Sequence, residues 1–81
     1  MWEEKDNALV ASLTFENFVD AFSFMTAVAI ECEKMNHHPN WSNVWNQVHI
    51  SLSTHDAGNV VTEKDRELAS IITELYNKRA R

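Results

Sequence analysis

Cys32 has no second cysteine to pair with. An intrachain disulfide is therefore excluded, which suits a reducing compartment, and the expected location is the cytoplasm. A secretory signal is missing as well, because Met1-Trp2-Glu3-Glu4 offers neither a basic n-region nor an apolar h-region. The longest mostly apolar stretch, residues 15–30, is broken by Glu16, Asn17, Asp20, Ser23 and Thr26, so no membrane span is expected. Basic residues are few: 7 Lys and Arg stand against 12 Asp and Glu, for a net charge of -5. That balance argues against direct nucleic-acid binding, which needs cations to displace phosphate counterions. The one basic cluster, Lys78, Arg79 and Arg81, reads as favourable charge at a helix C-terminus. Gly58 and Pro39 are the only residues of their types and are expected to punctuate turns.

What remains is one domain's worth of chain, residues 1–81. A domain this small buries only about 60% of the surface its unfolded form exposes, so burial against a partner subunit is expected to help it. Leu9, Ala11 and Leu13 alternate with Ala8, Val10 and Ser12, and Lys5-Asp6-Asn7 supplies turn residues, so Trp2-Glu3-Glu4 should pair with them as a hairpin. Thr14 reads as a helix N-cap. From it Phe15, Phe18, Val19, Phe22, Met25, Ala29 and Cys32 mark one apolar face of a helix to about Met35. Asn36 suits a left-handed stop and Pro39 follows it closely. Residues 44–53 read as one long strand, with Val44, Asn46, Val48, Ile50 and Leu52 on one face. A turn at residues 55–59 leads to Val60-Val61 as a brief return strand. Thr62-Glu63-Lys64-Asp65 resembles a capping box before a last helix that carries Leu68, Ile71, Ile72, Leu75 and Tyr76 on one face. This order predicts the α+β class, an antiparallel four-stranded sheet with two helices packed on one face.

Chemistry is expected where histidines meet element ends. His37 and His38 follow the first helix, and His55 follows the long strand. Histidine both gives and takes protons near neutral pH. The plainer reading is surface loop histidines, and composition alone leaves both readings open. A metal site is not expected, because His37 and His38 are adjacent and neither CxxC nor HExxH spacing occurs. Cys32 falls on an apolar helix face, where a cysteine is usually an inert small hydrophobe. His49 reads as a half-exposed polar strand position.

The run Glu33-Lys34-Met35-Asn36-His37-His38-Pro39, then Trp45, then Thr54-His55, resembles the motif of the pterin-4a-carbinolamine dehydratase family. Asn43-Val44-Trp45-Asn46-Gln47-Val48 and Thr62-Glu63-Lys64-Asp65 extend the likeness, which runs from about Trp2 to Tyr76. The resemblance implies dehydration of 4a-hydroxytetrahydropterin to quinonoid dihydropterin in tetrahydrobiopterin recycling, with no metal or redox cofactor. It implies catalytic roles for His37, His38 and His55. It implies substrate-binding roles for Glu33, His38, Pro39, Trp45 and Thr54. Asp65 falls near a family acidic position, but a helix N-terminal role is the simpler expectation for it, since the loop before it looks one residue longer than the family pattern. The resemblance also implies a homodimer, with a tetramer as the larger assembly. Most members carry a further N-terminal helix, which is expected to be missing here. A different class stays open on the same scaffold: a non-catalytic interaction module, either a dimerisation cofactor or an assembly factor.

Overall fold

The computed structural model describes residues 1–79. Strand β1 (Glu3–Lys5) and strand β2 (Ala8–Thr14) form the first hairpin. Its two-residue turn places Asp6 at φ 51 and Asn7 at φ 64. Asp and Asn tolerate that left-handed backbone, whose twist matches the flanking strands. Helix α1 spans Phe18–Met35, strand β3 Asn40–Val44 and strand β4 Gln47–Leu52. A 3₁₀ turn, His55–Ala57, leads to helix α2, Glu63–Arg79. The sheet is antiparallel throughout, in the order β1-β2-β4-β3.

Period-2 alternation divides the sheet into two unlike faces. Leu9, Ala11 and Leu13 of β2 and Val48, Ile50 and Leu52 of β4 join Ala21, Phe24, Val28 and Cys32 of α1 and Leu68, Ala69 and Ile72 of α2 in one core. Both helices thus cover the same face, and the α+β class is as expected. Ser12 and His49, on the opposite face, meet through Ser12 Oγ and His49 Nδ1 at 2.9 Å, and both are exposed. Burial pushes the Cys32 thiol up in pKa, as an inert core position should. No helix among the described residues is long and apolar enough to cross a membrane.

Four details differ from the sequence reading, each for a physical reason. Thr14 ends β2 and is not a cap. The cap is Asn17, whose side-chain oxygen accepts from the Asp20 N–H at 2.9 Å, a contact worth about 1 kcal/mol. The buried face of α1 is Ala21, Phe24, Val28 and Cys32; Phe18, Val19 and Phe22 are exposed. Both sides of this helix are apolar, so periodicity alone does not choose between them; the buried face shares Cys32 with the expected one, and Met25 packs half-buried against the core. The long strand is in fact the β3–β4 hairpin, with Val44 paired to Gln47 across Trp45-Asn46. Trp45 sits at φ 50, a costly conformation for a bulky residue. The Asn43 amide donates to the carbonyls of Trp45 and Gln47, and the Asn46 amide donates to that of Phe15. Those bonds fix a turn that lacks glycine. Finally, Val60 makes only an isolated bridge with Thr54, so the fourth strand is β3 and not Val60-Val61.

At the far end of α2, Lys78 pairs with Glu74, and Arg79 pairs with Asp20 and lies 4.6 Å over the Phe15 ring. Arg81, the third member of the expected basic cluster, lies outside the described residues.

Candidate active site

Three element ends meet at the histidines. Asn36 closes α1 in the left-handed region at φ 52, ψ 44. The Asn36 N–H donates to the Glu33 carbonyl and the His37 N–H to the Cys32 carbonyl. This paired arrangement stops a helix and satisfies its last carbonyls. It also sends the next two side chains in different directions. His37 turns inward and is buried, whereas His38 stays exposed.

Buried His37 meets Asp65, the third residue of α2. His37 Nε2 and Asp65 Oδ1 are 2.6 Å apart, and Asp65 is fully buried. The other carboxylate oxygen, Oδ2, accepts from the Thr62 N–H at 2.9 Å and from the Thr54 hydroxyl at 2.8 Å. Since Thr54 spends its proton on Asp65, the Thr62 hydroxyl donates to Thr54 Oγ1. No buried side-chain polar atom among the described residues lacks a partner. Burial alone would raise the Asp65 carboxyl pKa. The hydrogen bonds from the His37 ring, the Thr62 N–H and the Thr54 hydroxyl outweigh it and hold that carboxyl below the usual aspartate value. An ionised Asp65 can only accept, so His37 carries its proton on Nε2. In the neutral ring Nδ1 then keeps a lone pair.

The cleft that results is lined by Asn36, His37, His38, Thr54, His55 and Lys64, with Ser53 and Asp56 completing it, and has a volume of about 240 Å³. His38 Nε2 is 2.7 Å from Glu33 Oε1, with both side chains exposed. His55 Nδ1 makes only a 3.3 Å contact with Asn59 Oδ1. A larger groove of about 850 Å³ runs between the first hairpin and α2, past Trp2, Leu9, Ala69 and Thr73. It contains no histidine, so the smaller cleft is the better candidate for acid–base work.

The structure therefore gathers His37, His38, His55 and Thr54 at one cleft, with Glu33 behind His38. Two of the expected residues are elsewhere. Pro39 leads into β3 without lining the cleft. Trp45 is at the opposite end of β3, roughly 16 Å along the strand at 3.3 Å per residue, and is 64% exposed. Within one chain it cannot touch a ligand bound among the histidines. Asp65 was assigned only a helix-capping role. It performs that role through the Thr62 N–H and orients His37 as well. Thr62, Asp56, Lys64, Asn36 and Ser53 were not singled out from the sequence as site residues. The Thr-x-x-Asp spacing was the one available signal for the Thr62–Asp65 pair.

Comparison with known proteins bears on the family and the fold. The family model described as pterin 4 alpha carbinolamine dehydratase matches residues 1–75. A protein of Prochlorococcus marinus strain MIT 9515, provisionally named a pterin-4-alpha-carbinolamine dehydratase, is 51% identical over 95% of this chain and 79% of its own length. A Burkholderia pseudomallei strain 1710b protein with the same provisional name is 54% identical over 85% of this chain and 67% of its own. Among solved structures, a transcriptional coactivator/pterin dehydratase from Brucella melitensis superposes with a TM-score of 0.87. It is 38% identical, over 91% of this chain and 80% of that one. A pterin dehydratase-like protein identified as a RuBisCO assembly factor in the alpha-carboxysome shares the fold at a TM-score of 0.73 and 24% identity, over 93% of this chain and 86% of that one.

Proposed function

The chain belongs to the pterin 4 alpha carbinolamine dehydratase family, and from that premise we propose that it removes water from a 4a-hydroxytetrahydropterin by histidine acid–base catalysis. One observation carries the reading. His37 is held by buried Asp65 through Nε2, in a cleft it shares with His38 and His55. A binding surface has no need of a histidine whose tautomer is fixed in this way.

The elimination needs two proton transfers. His37 Nδ1 takes the proton from pterin N5. The N5 electron pair forms the N5=C4a double bond as the C4a–O bond breaks. That bond's pair leaves with oxygen, which takes a proton from His55 and departs as water. Asp65 stabilises the imidazolium formed on His37, as a buried carboxylate does in other histidine-based sites. Each transfer is typically worth about 10²–10⁴-fold in rate. His38, backed by Glu33, holds the ring system. The domain is the whole of residues 1–81, and recycling of tetrahydropterin in the cytoplasm, where a lone thiol stays reduced, is its fitting place.

The test is turnover of carbinolamine generated in situ by an aromatic amino-acid hydroxylase supplied with tetrahydropterin. The folded protein should speed its disappearance well beyond the spontaneous rate. A folded protein that leaves the rate unchanged overturns the proposal.

A second reading draws on a separate observation. Phe18, Val19, Phe22, Ile30, Val44 and Trp45 are all large, apolar and more than 45% exposed. Phe18 and Phe22 lie together, their ring centroids 5.7 Å apart, and exposed apolar side chains that cluster mark contacts with other proteins. A non-catalytic interaction module on this scaffold would use them without any chemistry. We assign them to self-association instead, as a homodimer, because a domain this small gains from burial at an interface. Light scattering at micromolar concentration should give twice the chain mass; a monomer there would contradict the dimer.

A further inference from the structure

We infer that Lys64 holds the substrate in the cleft, donating a hydrogen bond from its ammonium to the pterin carbonyl next to the reacting carbon. The inference rests on the dehydratase reading and adds a substrate-binding residue to it.

Lys64 is the second residue of α2 and lines the cleft together with the three histidines. Lys64 is exposed, and no ion pair among the described residues holds it. The first turn of a helix carries the partial positive end of its dipole, and a lysine in that turn is electrostatically misplaced. Glu63 and Asp65 are its sequence neighbours, and adjacent helical side chains do not face each other. Among the described residues the lysine and arginine ion pairs are Lys34–Glu31, Arg66–Glu4, Lys78–Glu74 and Arg79–Asp20, and Lys64 enters none of them. A residue that opposes local stability and faces a cleft is the pattern of a functional position.

The chemistry of the cleft narrows what Lys64 can meet. Asp65 is engaged by His37, Thr54 and Thr62, and Glu33 by His38; Asp56, the carboxylate lining the cleft, makes no ion pair with Lys64. An ammonium has three donors and no acceptor, so its ligand atom must be an acceptor. A pterin offers one beside the reaction centre: the C4 carbonyl, whose carbon is bonded to C4a. An ammonium holding that oxygen turns the C4a hydroxyl and N5 toward the histidines without taking part in either proton transfer. Such a contact is equal in ground and transition states, so it appears in KM and not in kcat.

The experiment compares wild type, Lys64→Met and Lys64→Arg. It measures kcat and KM with the in situ carbinolamine, and Kd for 7,8-dihydropterin by calorimetry. Lys64→Met should raise KM and Kd by about tenfold to hundredfold, the range for losing a hydrogen bond to a charged group. Its kcat should stay within about threefold, and its thermal midpoint should not fall, since the unfavourable charge is gone. Lys64→Arg should restore most of the binding. If wild type turns over and binds the probe while Lys64→Met matches it within about twofold, the Lys64 inference fails alone. A fall in kcat with KM unchanged also overturns it. If wild type neither binds dihydropterin nor turns over, the dehydratase reading falls and Lys64 falls with it.

Discussion

Asp65→Asn should lower dehydratase kcat by about 10²–10⁴-fold, the cost of disabling one proton transfer or its orienting carboxylate. The network dictates why. The Oδ2 position receives two donors, the Thr62 N–H and the Thr54 hydroxyl. An asparagine must place its single oxygen there, which turns its NH₂ toward His37 Nε2. That nitrogen must then accept, so the ring proton moves to Nδ1, and the Nδ1 lone pair proposed as the base is lost. The protein should still fold, at a cost of about 1–3 kcal/mol for the weakened buried contacts. Ring-nitrogen NMR of His37 should show the proton on Nδ1 in the variant and Nε2 in wild type. An unchanged tautomer with unchanged kcat would reduce Asp65 to a helix cap.

The same substitution has a pH signature. The folded state holds the Asp65 carboxyl below its ordinary value. A carboxylate shifted in that direction contributes stability above the unfolded-state pKa, near 3.9, and loses it as pH falls toward the folded-state value. Urea unfolding should therefore show the gap between wild type and Asp65→Asn at neutral pH narrowing below about pH 4.

His37→Ala and His55→Ala should fail for different reasons. Removing the His37 ring leaves the Asp65 carboxylate buried without its partner. Leaving that carboxylate oxygen buried without its donor costs about 1–3 kcal/mol, a sizeable share of the roughly 5–15 kcal/mol that a domain has. His55 is exposed and held only by the 3.3 Å contact with Asn59. Its loss should change stability by about 0.5 kcal/mol or less while kcat falls by about 10² or more. Urea midpoints and kcat measured on both variants separate the two effects. A stable His37→Ala protein would mean that Asp65 does not depend on the ring, and an active His55→Ala protein would remove His55 from the chemistry.

The sequence disclosed some parts of this molecule more readily than others. The first hairpin was legible because Asp6-Asn7 sits between an alternating strand and its partner. The end of α1 was legible because Asn36 is one of the few residues at ease in the left-handed region. The β3–β4 hairpin was hidden, since Trp45-Asn46 has no glycine and its flanks carry strand-forming residues on both sides. It turns because Asn43 and Asn46 bond carbonyls that no local pattern reveals. At the site, the histidines were legible as residues at element ends and through the family motif. The motif aromatic, Trp45, was misplaced because a spacing rule in one dimension cannot tell that the chain reverses in between. Asp65 was seen as a cap, and its second role was invisible because its partner is 28 residues away.

The left-handed Asn36 makes unequal neighbours of two identical residues. His37 and His38 share a peptide bond, yet one ring is sealed against a carboxylate and the other stands in water. A reagent that acylates imidazoles from solution meets two chemically distinct groups in that dipeptide, and it should mark His38 long before His37.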